Sequence, residues 1–329
     1  MPFVVYDKFA KTQHSLNVSS EDGHLEIKKQ LLKNTNLFEY GSKQLYVHVP
    51  FCMFHCSFCV YRGDLVRSNS QLDSYMRYLI REFEFSKHTL PNLELDAIFV
   101  GGGTVTTLSN DQLDQLLNKI KECFNIISVD GEFTVELAPH GLSKKKLNTL
   151  VLHGVNRVSI GIQSLDEELL RKMQRPPKSQ KYMATMFRDI KELSFRDVNV
   201  DLMIGIHGRT YENLVSDFLQ LAEWGCRSIM VYIDMRIYRN QTQNNKDKEI
   251  SEAKKMILQL ENLVSSNFVL NKGNGVSEYN RFIAVDQSPT KDILTRYSTN
   301  LDDPNLFCLG IGPGAKSWNR DWVFYTDRP

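Results

Sequence analysis

No apolar run in this chain of 329 residues approaches the roughly 18–20 residues that a bilayer-spanning helix needs, so no membrane partner is expected. The opening MPFVVYDKFAKTQHS lacks the basic start and long apolar stretch of a secretory signal, and a cytoplasmic protein is expected. An excess of charge of either sign is missing too: Lys and Arg number 40, Asp and Glu 39, and the net charge is +1. That balance offers no bulk attraction for nucleic acid, which is not expected as a partner. No low-complexity tract is present. Cysteine is scarce, with six in the chain, and a disulfide framework would be odd in a cytosolic protein of this size. Cys123, Cys226 and Cys308 are scattered, but Cys52, Cys56 and Cys59 crowd into eight residues, and such a cluster reads as a metal site.

Apolar residues make up 42% of the chain, enough to bury a sizeable core. From Gln44 onward short apolar runs alternate with amphipathic stretches. Strands are predicted at Leu45–Pro50, Asp96–Gly103, Phe133–Pro139, Arg157–Gln163, Val198–Gly205 and Ser228–Asp234. Between them lie helical patterns at Leu72–Ser86, Asp111–Cys123, Ser143–His153, Asp166–Gln174, Lys181–Leu193 and Tyr211–Trp224, with Ser109 and Asn110 as caps for the second. The repeat of roughly 30–35 residues matches a βα unit and points to a parallel sheet. A closed eight-fold barrel takes about 250 residues, and the regular region covers about three-quarters of that. The fold class predicted is therefore α/β: a partial (β/α)6 barrel open on one side. Three parts follow: an N-terminal extension over 1–43 with a helix near Glu26–Leu37, the partial barrel over 44–240, and a C-terminal substrate-side segment over 241–329. Asn240–Glu249 reads as a polar linker, followed by a helix near Ser251–Ser265.

The cysteines stand as C-x3-C-x2-C directly after the first predicted strand, which puts them at the carboxyl mouth of such a barrel, where these folds place active sites. Zinc sites usually offer four ligands, often as two C-x2-C pairs, and no fourth Cys or His pair stands at matching spacing. Three thiolates on a four-iron cluster leave one iron without a protein ligand, free to chelate the amino and carboxylate groups of S-adenosylmethionine (SAM). Buried or zinc-binding thiols are the other reading of these residues. Phe54, Phe58 and Tyr61 flank the loop, either screening a cluster or packing in the core. Gly101–Gly102–Gly103–Thr104 follows the second strand. Glycine lets a backbone approach a ligand closely, the Lys-Ser/Thr pair of a Walker loop is missing, and a plain turn is the alternative.

The run Tyr46-Val-His-Val-Pro-Phe-Cys52-x3-Cys56-x-Phe58-Cys59 resembles the radical SAM superfamily, and within it the oxygen-independent coproporphyrinogen oxidase (HemN-like) group. The likeness runs from about Leu45 to Asp234 and returns at Leu309–Ala315 (LGIGPGA). It implies a [4Fe–4S] cluster on Cys52, Cys56 and Cys59, which are both its metal ligands and the catalytic centre. It implies SAM as second cofactor and a 5′-deoxyadenosyl radical that attacks C–H bonds of a small or medium organic substrate. Phe58 matches the aromatic near adenine. Gly102, Gly103 and Thr104 match the loop at the amino end of SAM, and Glu136 the acidic position near its amino or carboxylate region, or at a second SAM. Gln163, Arg175 and Asp201 match polar positions around ribose and carboxylate. A carboxylate such as Asp201 can accept from two ribose hydroxyls, and Arg175 suits a carboxylate fork. Tyr46 and Met203 are lesser SAM contacts. A flavodoxin or ferredoxin is the implied reductant.

Some positions depart from the group. Val60-Tyr61 replaces the Gly-Cys that follows the third cysteine in coproporphyrinogen oxidases. The paired tyrosines and proline of their N-terminal arm are not found in 1–43. Arg296-Tyr297-Ser298-Thr299 stands where a Phe-Gln pair touches a second SAM, and the HemN-type C-terminal domain is expected to be absent or truncated. The group also holds methylases and cyclopropanases, and carbon transfer from a second SAM is the narrower function expected here. Oxidative decarboxylation of a porphyrinogen and non-catalytic haem carriage are the alternatives; for the last, His48, His140, His153 and His207 are axial candidates. Tyr232, Asp234, Arg236 and Tyr238 alternate along Val231–Asn240, and so share a face toward either the substrate cavity or solvent.

Overall fold

Runs buried along their whole length, such as Leu306–Ile311 and all but one residue each of Glu132–Leu137 and Ser228–Ile233, mark strands covered on both faces. The computed structural model describes residues 3–7, 12–16, 21–59, 63–126, 131–238, 243–272, 279–285 and 303–326. Among these, thirteen strands form one open sheet. In chain order they are β1 (Phe3–Asp7), β2 (Thr12–Leu16), β3 (Ser42–Val49), β4 (Ala97–Gly102), β5 (Glu132–Leu137), β6 (Arg157–Gln163), β7 (Asp197–Ile204), β8 (Ser228–Ile233), β9 (Phe268–Lys272), β10 (Tyr279–Ala284), β11 (Leu306–Ile311), β12 (Lys316–Trp318) and β13 (Trp322–Tyr325).

Strands β3 to β8 lie side by side in chain order and parallel, as the βα repeat predicts. The sheet does not close, so the partial barrel is the observed architecture. A further parallel strand comes from the C-terminal segment: β11 pairs with β3, with Leu309 opposite Leu45. The antiparallel strands β12, β13, β1 and β2 extend that side, while β10 and β9 continue past β8. Strands from both ends of the chain thus belong to the same sheet as the barrel.

The helices are α1 (Glu21–Lys33), α2 (Asn69–Thr89), α3 (Asn110–Cys123), α4 (Lys144–Leu152), α5 (Glu167–Lys172), α6 (Gln180–Lys191), α7 (Tyr211–Glu223) and α8 (Gln243–Val264). Ser109 caps α3 in a reciprocal box with Gln112, and Asn110 is the first helical residue. The run read as a linker, Asn240–Glu249, is instead helical from Gln243. Its polar sequence lacks an apolar stripe, but Ala253, Ile257, Leu260 and Val264 further along bury one face and carry the whole helix. No helix among the described residues is long and apolar enough to cross a membrane.

Residues alternate across β5–β8. Val135, Val158, Val200 and Ile229 join the main core with the helices. The intervening side chains Thr134, Arg157, Ser159, Asn199 and Ser228 are polar and bond to their neighbours. At the amino ends, Arg157 pairs with Asp197 at 2.8 Å and with Glu132 at 3.8 Å, and Arg281 of β10 pairs with the Asp197 carboxylate as well. Balanced charge at that end leaves the carboxyl ends of the strands to carry a site.

One fully buried ion pair ties the chain's two ends together. Lys28 of α1 donates to Glu82 of α2 at 2.6 Å and to the Gly310 carbonyl of β11 at 2.6 Å. The other oxygen of Glu82 accepts from the Gly312 N–H at 2.7 Å. Glu82→Ala would strand a buried ammonium and a backbone donor. We expect it to lower the unfolding free energy by about 3–5 kcal/mol, measured by urea denaturation. The apolar pair Lys28→Met with Glu82→Leu should recover part of that loss; equal stability of wild type and Glu82→Ala would refute the pair's role.

Candidate active site

The cysteine loop starts where β3 ends. Its first residues, Phe51–Cys52, form a two-residue parallel bridge with Asp64–Leu65. The Asp64 N–H donates to the Pro50 carbonyl at 2.7 Å and the Val66 N–H to the Cys52 carbonyl at 3.0 Å, so the loop returns to its own root. Its middle is fixed from outside, because the Ser57 N–H donates to the Met173 carbonyl at 2.9 Å. His55 is engaged by the Gly63 carbonyl at 2.8 Å, which gives it a loop-holding role. Cys52 and Cys56 are buried and Cys59 is half-buried. Among the described residues, no three His, Cys, Asp or Glu side chains close on one point as a single-ion zinc site requires.

Burial pushes the Cys56 thiol above its ordinary range, and the Arg175 guanidinium pulls it back. Arg175 Nη1 lies 3.5 Å from Cys56 Sγ, while Nη2 donates to the Gly161 carbonyl. The arginine expected at a SAM carboxylate is thus anchored between β6 and the cysteine loop. Its guanidinium carbon stands 5.8 Å from the centre of the Phe54 ring, and Phe54 meets His140 edge-on at 4.7 Å. Burial, with the cations Arg175 and Lys178, lowers His140 to about 4, so the imidazole is neutral at physiological pH. Its Nε2 pairs with the Pro176 carbonyl at 2.7 Å.

The glycine loop runs alongside. The Gly103 N–H donates to the Val49 carbonyl at 2.7 Å and the Thr104 N–H to the Phe51 carbonyl at 2.6 Å. Gly102 has φ +114°, and a Cβ there would fall 2.7 Å from the His48 ring. A Cβ on Gly101 would strike the Glu136 carboxylate. Packing inside the chain therefore already requires these glycines.

Glu136 of β5 and Asp201 of β7 are both half-buried near the carboxyl ends of their strands. Glu136 accepts from the Gly102 N–H at 3.2 Å, and Asp201 from Asn199 Nδ2 at 2.7 Å. Burial, reinforced by the charge of Asp201, pushes Glu136 up to about 7, against the pull of the Gly102 N–H and Arg157. Burial likewise raises Asp201 to about 6, opposed by Asn199 and by the arginines at 157, 175 and 281. Gln163 ends β6 in the left-handed region with φ 71°, at a register shift between Gly161 and Gln163. Its Oε1 is buried and has no hydrogen-bond partner among the described residues. Carboxylates with room for another donor, beside an unmet amide oxygen, suit a ligand rich in ammonium and hydroxyl groups, as SAM is. Three thiols on one loop suit an iron–sulfur cluster.

Phe58 and Met203 come together, packed with Leu169, Met173 and Ile206. The Tyr46 hydroxyl meets His48 Nδ1 at 2.8 Å, and its ring packs toward Cys308 and Trp318. The alternation expected along Val231–Asn240 stops at Asp234, because Met235–Tyr238 is a 3-10 turn. That turn brings Arg236 onto Asp234 and, through Nη1, onto Ser57 Oγ at 3.1 Å, so it clasps the cysteine loop. Sequence reasoning passed over Asn199, although its place two residues before Asp201 on a strand signals a shared face. Tyr61 and the 296–299 stretch lie outside the described residues.

The family model for the radical SAM superfamily matches residues 46–221. The heme chaperone HemW of Bacillus subtilis is 37% identical over 172 residues, 52% of this chain and 45% of that protein. The oxygen-independent coproporphyrinogen III oxidase of Pseudomonas aeruginosa is 30% identical over 171 residues, 50% of this chain and 36% of the other. The chain thus spans about half, or less, of the length of these relatives. Among solved structures, coproporphyrinogen III oxidase (HemN) of Escherichia coli aligns with a TM-score of 0.70 at 21% identity, covering 92% of this chain and 68% of that one, a likeness of fold.

The raised carboxyls give a pH test on the cofactor-free protein. With Glu136 at about 7 and Asp201 at about 6, the folded chain keeps protons that the unfolded chain has released. Their stabilising contribution is complete below the ordinary carboxylate range and is lost as pH rises through about 6–7. Glu136→Gln should therefore flatten the fall in melting temperature across this window. It should also be the more stable protein at pH 8 by up to about 2 kcal/mol, allowing for solvent screening. Parallel pH slopes for the two proteins would contradict the assignment.

Proposed function

The chain belongs to the radical SAM superfamily, whose cofactors are a [4Fe–4S] cluster and SAM, and we propose that Cys52, Cys56 and Cys59 ligate that cluster in a protein that handles a tetrapyrrole. When bound, the two cofactors supply one-electron cleavage of SAM and hydrogen abstraction from an organic substrate. Phe58 and Met203 would form the apolar wall beside adenine. Gly102, Gly103 and Thr104 would offer backbone at the amino end, with Glu136 accepting from the ammonium. Gln163 and Asp201 would accept from ribose hydroxyls. Arg175, anchored on Gly161, keeps a fixed cation against Cys56 and favours its thiolate. A flavodoxin or ferredoxin would deliver the electron.

The observation that carries this reading is the meeting of the cysteine loop, the glycine loop, the unmet amide oxygen of Gln163 and the carboxylates of Glu136 and Asp201 toward the carboxyl ends of the strands. The tetrapyrrole class is what both named relatives have in common, as one is a heme chaperone and the other a coproporphyrinogen oxidase. Carbon transfer from a second SAM fits those relatives less well and is not carried forward. Haem carriage is the second reading, favoured by the 37% identity to HemW.

Two experiments bear on these readings. Cys52→Ala, Cys56→Ala and Cys59→Ala should each abolish the brown iron–thiolate absorbance after anaerobic reconstitution, while Cys123→Ala, Cys226→Ala and Cys308→Ala keep it. Iron loss in the second set would overturn the ligand assignment. The reconstituted protein with SAM and dithionite should yield 5′-deoxyadenosine. Tight haem uptake with no such product would instead establish the carrier.

A further inference from the structure

Asp201 sits at the end of a chain of hydrogen bonds that starts beyond the matched superfamily region. Its Oδ1 accepts from Asn199 Nδ2 at 2.7 Å, and the same nitrogen donates to Ser159 Oγ at 2.9 Å. Asn199 Oδ1 accepts from Ser228 Oγ at 2.9 Å. Ser228 Oγ accepts in turn from Arg281 Nε at 2.7 Å, and Arg281 also pairs with Asp197. Asn199, Ser228 and Arg281 are all buried. β7, β8 and β10 contribute these residues in register: Asn199 stands opposite Ser228, and Arg281 lies on the strand that pairs with β8.

Chemistry gives the chain one direction. A guanidinium can only donate, and a hydroxyl has a single proton. With its oxygen taken by Arg281, Ser228 gives that proton to Asn199 Oδ1. The Asn199 amide nitrogen must then face Ser159 and Asp201. Were the amide reversed, its oxygen would oppose the Asp201 carboxylate, and the Ser228 proton would lose its acceptor. A side-chain amide alone has two orientations of similar shape; here the arginine removes one of them.

We propose that Ser228 and Arg281 are positioning residues for SAM, setting the Asn199 amide so that it holds and orients the Asp201 carboxylate toward the ribose. The inference rests on the reading of Asp201 as a SAM contact. It identifies a contribution from the C-terminal segment, through β10, to a site otherwise built from the superfamily region.

The test is anaerobic calorimetric titration of SAM into cluster-loaded protein, with iron per chain measured on each variant. Asp201→Ala should weaken SAM, and Ser228→Ala should weaken it about 10-fold, within the range for a hydrogen bond to a charged group. Iron content should not change. Ser228→Thr, which keeps the hydroxyl, should restore affinity to within about twofold of wild type, on the same scale. In an Asp201→Ala background, Ser228→Ala should have no further effect, because its only route to SAM is through that carboxylate. Equal loss in both backgrounds would mark a packing role and overturn the proposal. Unchanged affinity in Asp201→Ala would sink the underlying reading as well. Weakening by Asp201→Ala but not by Ser228→Ala would sink the chain alone. Should Ser228→Ala fail to fold, Asn199→Ala takes its place in the same cycle, with the same outcomes deciding.

Discussion

Two backbone hydrogen bonds, from Gly103 N–H to the Val49 carbonyl and from Thr104 N–H to the Phe51 carbonyl, decide where the whole site can be. They clip the glycine loop after β4 onto the cysteine loop after β3. A side chain at 103 would collide with the Phe51 carbonyl, so the clip works only with glycine. Once it is made, the cysteines, the Gly102 N–H and the Glu136 carboxylate share one edge of the sheet. Arg175 reaches the same edge because its second nitrogen is tethered to Gly161. All of these contacts are made within the chain, and a site held by its own backbone lowers the ordering cost of binding.

The same strands serve two purposes because of their period of two. Their outward residues are aliphatic and bury the helices. Toward their amino ends the inward residues form a polar column that is electrically balanced, with Arg157 and Arg281 set against Asp197 and Glu132. Toward the carboxyl end the strands themselves supply the acceptors Glu136, Gln163 and Asp201, and the cation there, Arg175, reaches in from outside them. Charge is therefore matched where nothing enters, and left for a partner where something can.

Local features were the legible ones. The C-x3-C-x2-C loop, the GGGT loop and the buried runs of β3–β8 are each written in a few adjacent residues, and they led to the partial barrel. What depended on distant partners was not readable. Nothing in LGIGPGA announces that β11 lies parallel beside β3, because strand neighbours far apart in sequence leave no periodicity. The helical stretch from Gln243 looked like a linker because its burial begins only with Ala253. Arg175 resembled a carboxylate reader by its position, and only the fold shows it anchored on a carbonyl. Nor does the motif tell that the Tyr46 hydroxyl bonds His48, two residues on along the same strand.

The buried bond from Lys28 to the Gly310 carbonyl spans 282 positions of the chain. On a ribosome adding about 5–20 residues per second, roughly 15–60 s separate the synthesis of its two partners. During that interval α1 carries an ammonium group with no carbonyl to receive it, and β3 presents a bare edge to solvent. Only when β11 emerges does the nascent chain acquire the strand that covers both. Maturation of this fold therefore waits on a strand made late in translation, and holding the early strand apart from other chains until then becomes a task for whatever chaperones attend translation.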